Sequence, residues 1–235
     1  MRLRWIGSLA AFVRYSASQV FARKFIFFLL LALLTFCVVV VVHTLQEEIP
    51  PNAASVYYFL LVPGLLLTLY PSAYAVQSET DARMLETLFG IPDYRFKVWL
   101  ARHLVQHLVI AGILLLLAQL CDLALADLPV WEMVFHLMFP IMFLSSVGFM
   151  LATLFRSGNG AAAIMLLVGI VFWMSHGAFD GSRWSIYINP FEQAGASDYI
   201  ARNTEVYYNR AYLGVGIVLT TLLALLRLQR RELFV

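Results

Sequence analysis

Charge is scarce in this chain. Only 13% of its 235 residues are Asp, Glu, Lys or Arg, against about 25% in an ordinary soluble domain. Hydrophobic residues make up 62% and the mean hydropathy is +0.81, which excludes a water-soluble domain and leaves an integral membrane protein. Cysteine is nearly missing too. Cys37 and Cys121 both lie in apolar runs, without metal-ligand or redox spacing, and neither reads as half of a required disulfide. The chain has no G-x-x-x-x-G-K-[ST] loop, so it does not bind ATP by that route. Ser145, Ser146 and Ser157 have no G-x-S-x-G context, which argues against a serine hydrolase. Internal repeats and low-complexity linkers are missing as well.

What the sequence does have is apolar length. Runs at residues 25–42, 56–76, 98–126, 130–155, 161–175 and 211–226 predict six transmembrane helices in a single domain, since about 20 residues at 1.5 Å each cross the hydrocarbon. The fold class is therefore an all-α integral membrane protein. The second run contains Pro63, Gly64 and Pro71, and its prolines free backbone carbonyls and allow a kink. Residues 1–24 are too polar to span. Leu3, Ile6, Leu9, Phe12, Val13 and Val20 give them an apolar face, and Arg2, Arg4, Arg14, Arg23 and Lys24 a basic one, the pattern of an interfacial helix on anionic lipid. Residues 176–210 are polar and aromatic by turns. They are placed outside the cytoplasm and are open to a re-entrant reading broken at Asn189-Pro190.

Residues 77–103 hold eight of the chain's thirty charged side chains, between the second and third runs. Each charge would cost roughly 2.5–3.5 kcal/mol in the bilayer, so the segment belongs at a membrane surface. Met84, Leu85, Leu88 and Phe89 make one apolar stripe at helical spacing, with Glu79, Arg83 and Glu86 mostly off it. Gly90 and Pro92 close the helix. In the six-span arrangement, thirteen of the sixteen Lys and Arg residues fall on one side. The positive-inside rule makes that side the cytoplasm, with both termini and the charged segment on it.

These residues resemble a family. ABC-2 type exporter permeases carry, after their second span, a pattern like E-x-x-x-G-T-L-E-x-L-x-x-x-P. Glu79, Leu85, Glu86, Leu88 and Pro92 match it in register, while Arg83 and Met84 stand where the family has Gly-Thr. The resemblance implies that residues 77–97 form a cytoplasmic coupling helix, with Glu79, Arg83, Leu85, Glu86, Leu88, Phe89 and Pro92 contacting a P-loop ATPase subunit. It implies further a second permease subunit and location in the cell (inner, cytoplasmic) membrane. The chain would perform no chemistry and hold no cofactor of its own, because ATP would bind the partner subunit. No nucleic-acid partner is expected. Two other readings stay open: a proton-coupled or facilitative carrier using Asp122 or Asp127, and a membrane scaffold recruiting cytoplasmic proteins. His103 and His107 stand at i, i+4, a spacing able to bind a metal. No third ligand is evident, and both are expected at the interface, bonded to water or lipid heads.

Overall fold

The computed structural model describes residues 25–46, 50–81, 95–155, 157–179, 182–192 and 199–229. The described elements are all helical. They are α1 Phe25–Gln46, α2 Ala53–Ala73, α3 Ala75–Asp81, a π-helical turn Arg95–Leu100 leading into α4 Ala101–Ala124, α5 Val130–Phe155, α6 Gly158–Met174, a 3-10 turn His176–Ala178 and α7 Tyr199–Arg227. The expected interfacial helix at 1–24 lies outside the described residues, as do Arg83, Leu85, Glu86, Leu88, Phe89 and Pro92.

Hydrocarbon explains why these runs are helices. Between Phe25 and Gln46 there is no Asp, Glu, Lys or Arg, and in lipid each backbone N–H and C=O must be satisfied within its own segment. That requirement overrides the modest helix propensity of the five consecutive valines Val38 to Val42. α2 starts on a side-chain cap, with Asn52 Oδ1 accepting from Ser55 N at 2.9 Å. It carries Pro63 and Pro71 inside and breaks at Tyr74 before α3 continues. The loop between α4 and α5 is tied by Asp122, whose carboxylate accepts from Leu128 N at 2.8 Å.

Contacts at the helix ends show how the chain alternates. At one end, called here the root end, Phe28 stacks on Tyr70 at 5.4 Å and Tyr74 Oη donates to Asn159 Oδ1. At the same end Arg227 Nε donates to Thr153 O at 3.1 Å. At the opposite end His43 meets Phe59 at 4.9 Å, and Tyr58 meets Trp173 at 6.2 Å. The start of α1 and the end of α7 therefore lie together at the root end, where α2 passes into the charged segment.

α1, α2, α5, α7 from Ile200, and Val98–Ala124 are long and apolar enough to cross a membrane. α6, expected as a span at 161–175, has 17 residues. That is about 25 Å of helix, short of the ~30 Å hydrocarbon core. Other limits shift as well. α1 continues to Gln46 and the second span yields to α3 after Ala73. The last helix starts at Tyr199, not at Ala211, so residues 199–210 belong to a continuous helix and not to a re-entrant pair. α2 and α5 form the centre, each 61% buried over its most apolar stretch against 11% for α1. Gly64 lies against Ile141 of α5, whose Cδ1 is 2.4 Å from where a Cβ would stand and would have to shift to admit one.

Candidate functional site

At the root end the helices enclose a cluster of polar side chains. Trp99, Arg102, His103, Gln106, His107 and Ile110 recur at i, i+3, i+4, i+7 spacing, which turns them all to the inner face of the third span. Arg102 Nη1 donates to Glu79 Oε1 at 2.5 Å, and both side chains are buried, Glu79 at 1% exposure. The Arg102 guanidinium also lies 5.6 Å from the centre of the Trp99 ring. Deeper in the bundle, Gln106 Nε2 donates to Ser72 Oγ at 2.8 Å and to Ser145 Oγ at 3.0 Å, and the two hydroxyls are 2.8 Å apart. Three helices thus share one buried polar contact. A buried polar group without a partner is costly, so this triad fixes the rotation of α2, the third span and α5 against one another.

A second tie holds the root from the other side. Gln77 Oε1 accepts from Gly158 N at 2.5 Å, at the start of α6. Gly158 has no room for a side chain, because a Cβ there would sit 2.3 Å from Tyr74 Cδ1. α3 is therefore anchored to the third span through Glu79 and to α6 through Gln77.

The sequence reading places Glu79 among charges that face a partner. In the structure Glu79 turns inward and pairs with Arg102. The expectation for the histidines is corrected. His103 and His107 are buried, with rings 4.3 Å apart and perpendicular, and His103 stacks on Phe149 at 5.4 Å. Neither ring faces lipid heads, and the Nε2 atom of each has no hydrogen-bond partner. Among the described residues no group of three or more His, Cys, Asp and Glu side chains could hold a metal. Gln106 and Ser72 were not singled out from sequence, and Ser145 was weighed only as a nucleophile; the stripe from Trp99 to Ile110 carries the signal for Gln106.

The opposite end is closed by the non-helical stretch 182–192. It has little backbone pairing of its own, so helix side chains supply the partners its peptide groups require. Asn209 Nδ2 donates to Arg183 O at 2.9 Å and to Ser185 O at 2.8 Å. Arg210 donates to Ile188 O at 3.1 Å, Asn209 Oδ1 at 2.8 Å and His136 Nδ1 at 3.3 Å. Arg202 pairs with Glu192 and donates to Asn189 O, while Asn189 Nδ2 donates to Ala54 O at 2.9 Å. Hydrogen bonding to the Glu205 carboxylate first, and then to Tyr212, raises the pKa of Arg183, so this cation stays charged throughout the physiological range. Burial pushes the Tyr187 phenol up to about 12, so it stays neutral. Replacing Asn209 with Ala takes the side-chain donor from Arg183 O and leaves Ser185 O with the bond from Ile188 N, at about 1–3 kcal/mol. The amides of 185–191 are then expected to exchange hydrogen roughly 5- to 150-fold faster, at 1.4 kcal/mol per tenfold. Unchanged exchange would show that this stretch is held by something else.

Fold and site together define a multi-pass, all-α membrane protein with a buried polar cluster at one end and, at the other, a non-helical stretch tied down by helix side chains. No family model matches the chain, and neither the curated proteins nor the solved structures yield a match.

Proposed function

We propose that the chain is the membrane subunit of an ABC-2 type exporter, with six spans, paired with a second permease subunit and driven by a separate P-loop ATPase. The observation that carries this reading is the anchoring of α3. α3, the start of the charged segment, is bound to two other helices, by Glu79–Arg102 and by Gln77–Gly158. A helix held in that way would pass a push received from the segment on to the spans. The match of Glu79, Leu85, Glu86, Leu88 and Pro92 to the family's pattern supports the same reading, as does the shared end of α1, α7 and the segment. α6 then crosses as the short fifth span, with local thinning of the bilayer or tilting of its neighbours making up its length. The carrier reading keeps Asp122 and Asp127 as its carboxylates, and Asp122 also accepts from Leu128 N in the α4–α5 loop.

The root end is proposed to be cytoplasmic, on the thirteen-of-sixteen distribution of Lys and Arg. Single cysteines introduced at Glu48 and Ser197 are expected to react with a membrane-impermeant thiol reagent added outside intact cells. One introduced at Asp81 is expected to stay unlabelled. Labelling at 81 from outside reverses the orientation and removes the segment from any cytoplasmic ATPase. The coupling itself is tested by co-expressing the chain with a neighbouring-gene P-loop ATPase, then measuring co-purification and ATP hydrolysis in lipid. An ATPase that neither binds nor changes its rate sinks the proposal.

A further inference from the structure

The inner face of the third span borders a cavity as well as a cluster. Ser72, Trp99, Arg102, His103 and Gln106 line it, and its volume is about 40 Å3. A single water needs roughly 10–15 Å3 by the same measure, so the space holds up to about three. Trp99 Nε1 and His103 Nε2 are both shielded from solvent and have no hydrogen-bond partner. An indole N–H is a donor only, and a neutral imidazole nitrogen accepts or donates. Ser72 and Gln106 add hydroxyl and amide groups beside them. Tyr70, Pro71, Ala75 and Phe149 give the cavity apolar walls as well; a wholly apolar cavity stays dry, whereas these two unmet groups with Ser72 and Gln106 give a water the polar partners it needs. The charge is balanced, since Glu79 faces Arg102. The donor set therefore suits a small solute that both gives and accepts hydrogen bonds.

We propose that this cavity is a hydrated solute site within one copy of the chain, admitting water and water-sized hydrophilic solutes from the root end as far as Ser72 and Gln106. It deepens the transport reading, on which its use depends: the site is the inner mouth of the pathway, with Trp99, His103 and Gln106 as its solute-contacting side chains.

Silver ion is a probe of suitable size. It binds an introduced thiol by forming an Ag–S bond, and the displaced proton goes to buffer. The experiment uses the full chain with Cys37 and Cys121 replaced by Ala, in lipid vesicles in nitrate buffer. Ag+ is added for timed intervals and quenched, and the remaining thiol is read with a maleimide dye after denaturation. Ser72→Cys is expected to be blocked within about tenfold of the rate for Asp81→Cys, which is exposed at the root end, because thiol reactivity follows access. It should be blocked at least about a hundredfold faster than Leu114→Cys, which sits in the apolar core on the third span. A rate for Ser72→Cys equal to that of Leu114→Cys overturns the proposal. Should Ser72→Cys fail to fold, the half-buried Ser78→Cys lines the same cavity and carries the same comparison. ATPase binding is read separately. A dry cavity beside a bound ATPase defeats only this inference, and a wet one with no ATPase partner defeats only the transport reading.

Discussion

Glu79→Ala is expected to destabilise the bundle by roughly 3–5 kcal/mol, the cost of removing one partner from a buried ion pair. The reason is asymmetric. Arg102 stays buried against Trp99 while the carboxylate it faces is gone. Glu79→Gln keeps an oxygen in reach of Nη1 but not the opposite charge, and it should fall between wild type and Ala. The double variant Glu79→Leu with Arg102→Met removes both charges at similar volume, and such exchanges are often neutral or stabilising. It should therefore recover most of the loss. Unfolding in mixed micelles reads all four. If Glu79→Ala unfolds like wild type, the pair does not hold α3 to the third span, and the anchored root fails with it.

The second large effect belongs to Leu88→Asp. On the proposed function, Leu85, Leu88 and Phe89 insert into a groove on the ATPase, with Arg83 and Glu86 on the solvated rim. Interfaces concentrate their energy in a few apolar anchors worth upwards of about 2 kcal/mol each, whereas rim charges contribute about 0–1 kcal/mol. A charge at 88 is therefore expected to weaken ATPase binding at least about 30-fold, at 1.4 kcal/mol per tenfold. Permease yield and stability in detergent should stay as they were. Glu86→Ala should change binding less than about fivefold. Equal recovery and stimulation of the ATPase with wild type and Leu88→Asp would show that this helix is not the coupling element. Contrasted with Glu79→Ala, the pair of variants separates docking from anchoring: one loses its partner while folded, the other loses its fold.

Much of this architecture is legible in the sequence because lipid imposes a simple rule. Some 20 apolar residues in a row must be helical, so 130–155 is placed to the residue and α1 and α2 to within a turn or so. The misreadings fall where tertiary contacts overrule hydropathy. Residues 199–210 look like loop because Arg202, Asn203, Glu205, Asn209 and Arg210 interrupt the apolar run. In the fold, Arg202, Glu205, Asn209 and Arg210 point at the 182–192 stretch and satisfy it, which lets the helix run on through a polar patch. No spacing rule announces that arrangement. Glu79 and Arg102 stand 23 positions apart, near the two ends of the charged segment, so their pairing carries no periodic signature either. The stripe from Trp99 through Gln106 is different. Its spacing marks one helix face, and the burial of that face follows once α2 and α5 are known to flank it. Taken alone, His103 and His107 suggest interface or metal; set beside Gln106 and Trp99, they read as an inner wall.

The most direct test of the ATPase-coupled reading is photo-crosslinking from the charged segment in native membranes. A photoreactive amino acid placed at Leu88 in the full chain, irradiated in cells and analysed by mass spectrometry, should yield one dominant adduct with a protein that carries a P-loop. The adduct should be lost when Phe89→Asp is added. Cross-links to lipid or to this chain alone, with no P-loop protein among the products, would contradict the account.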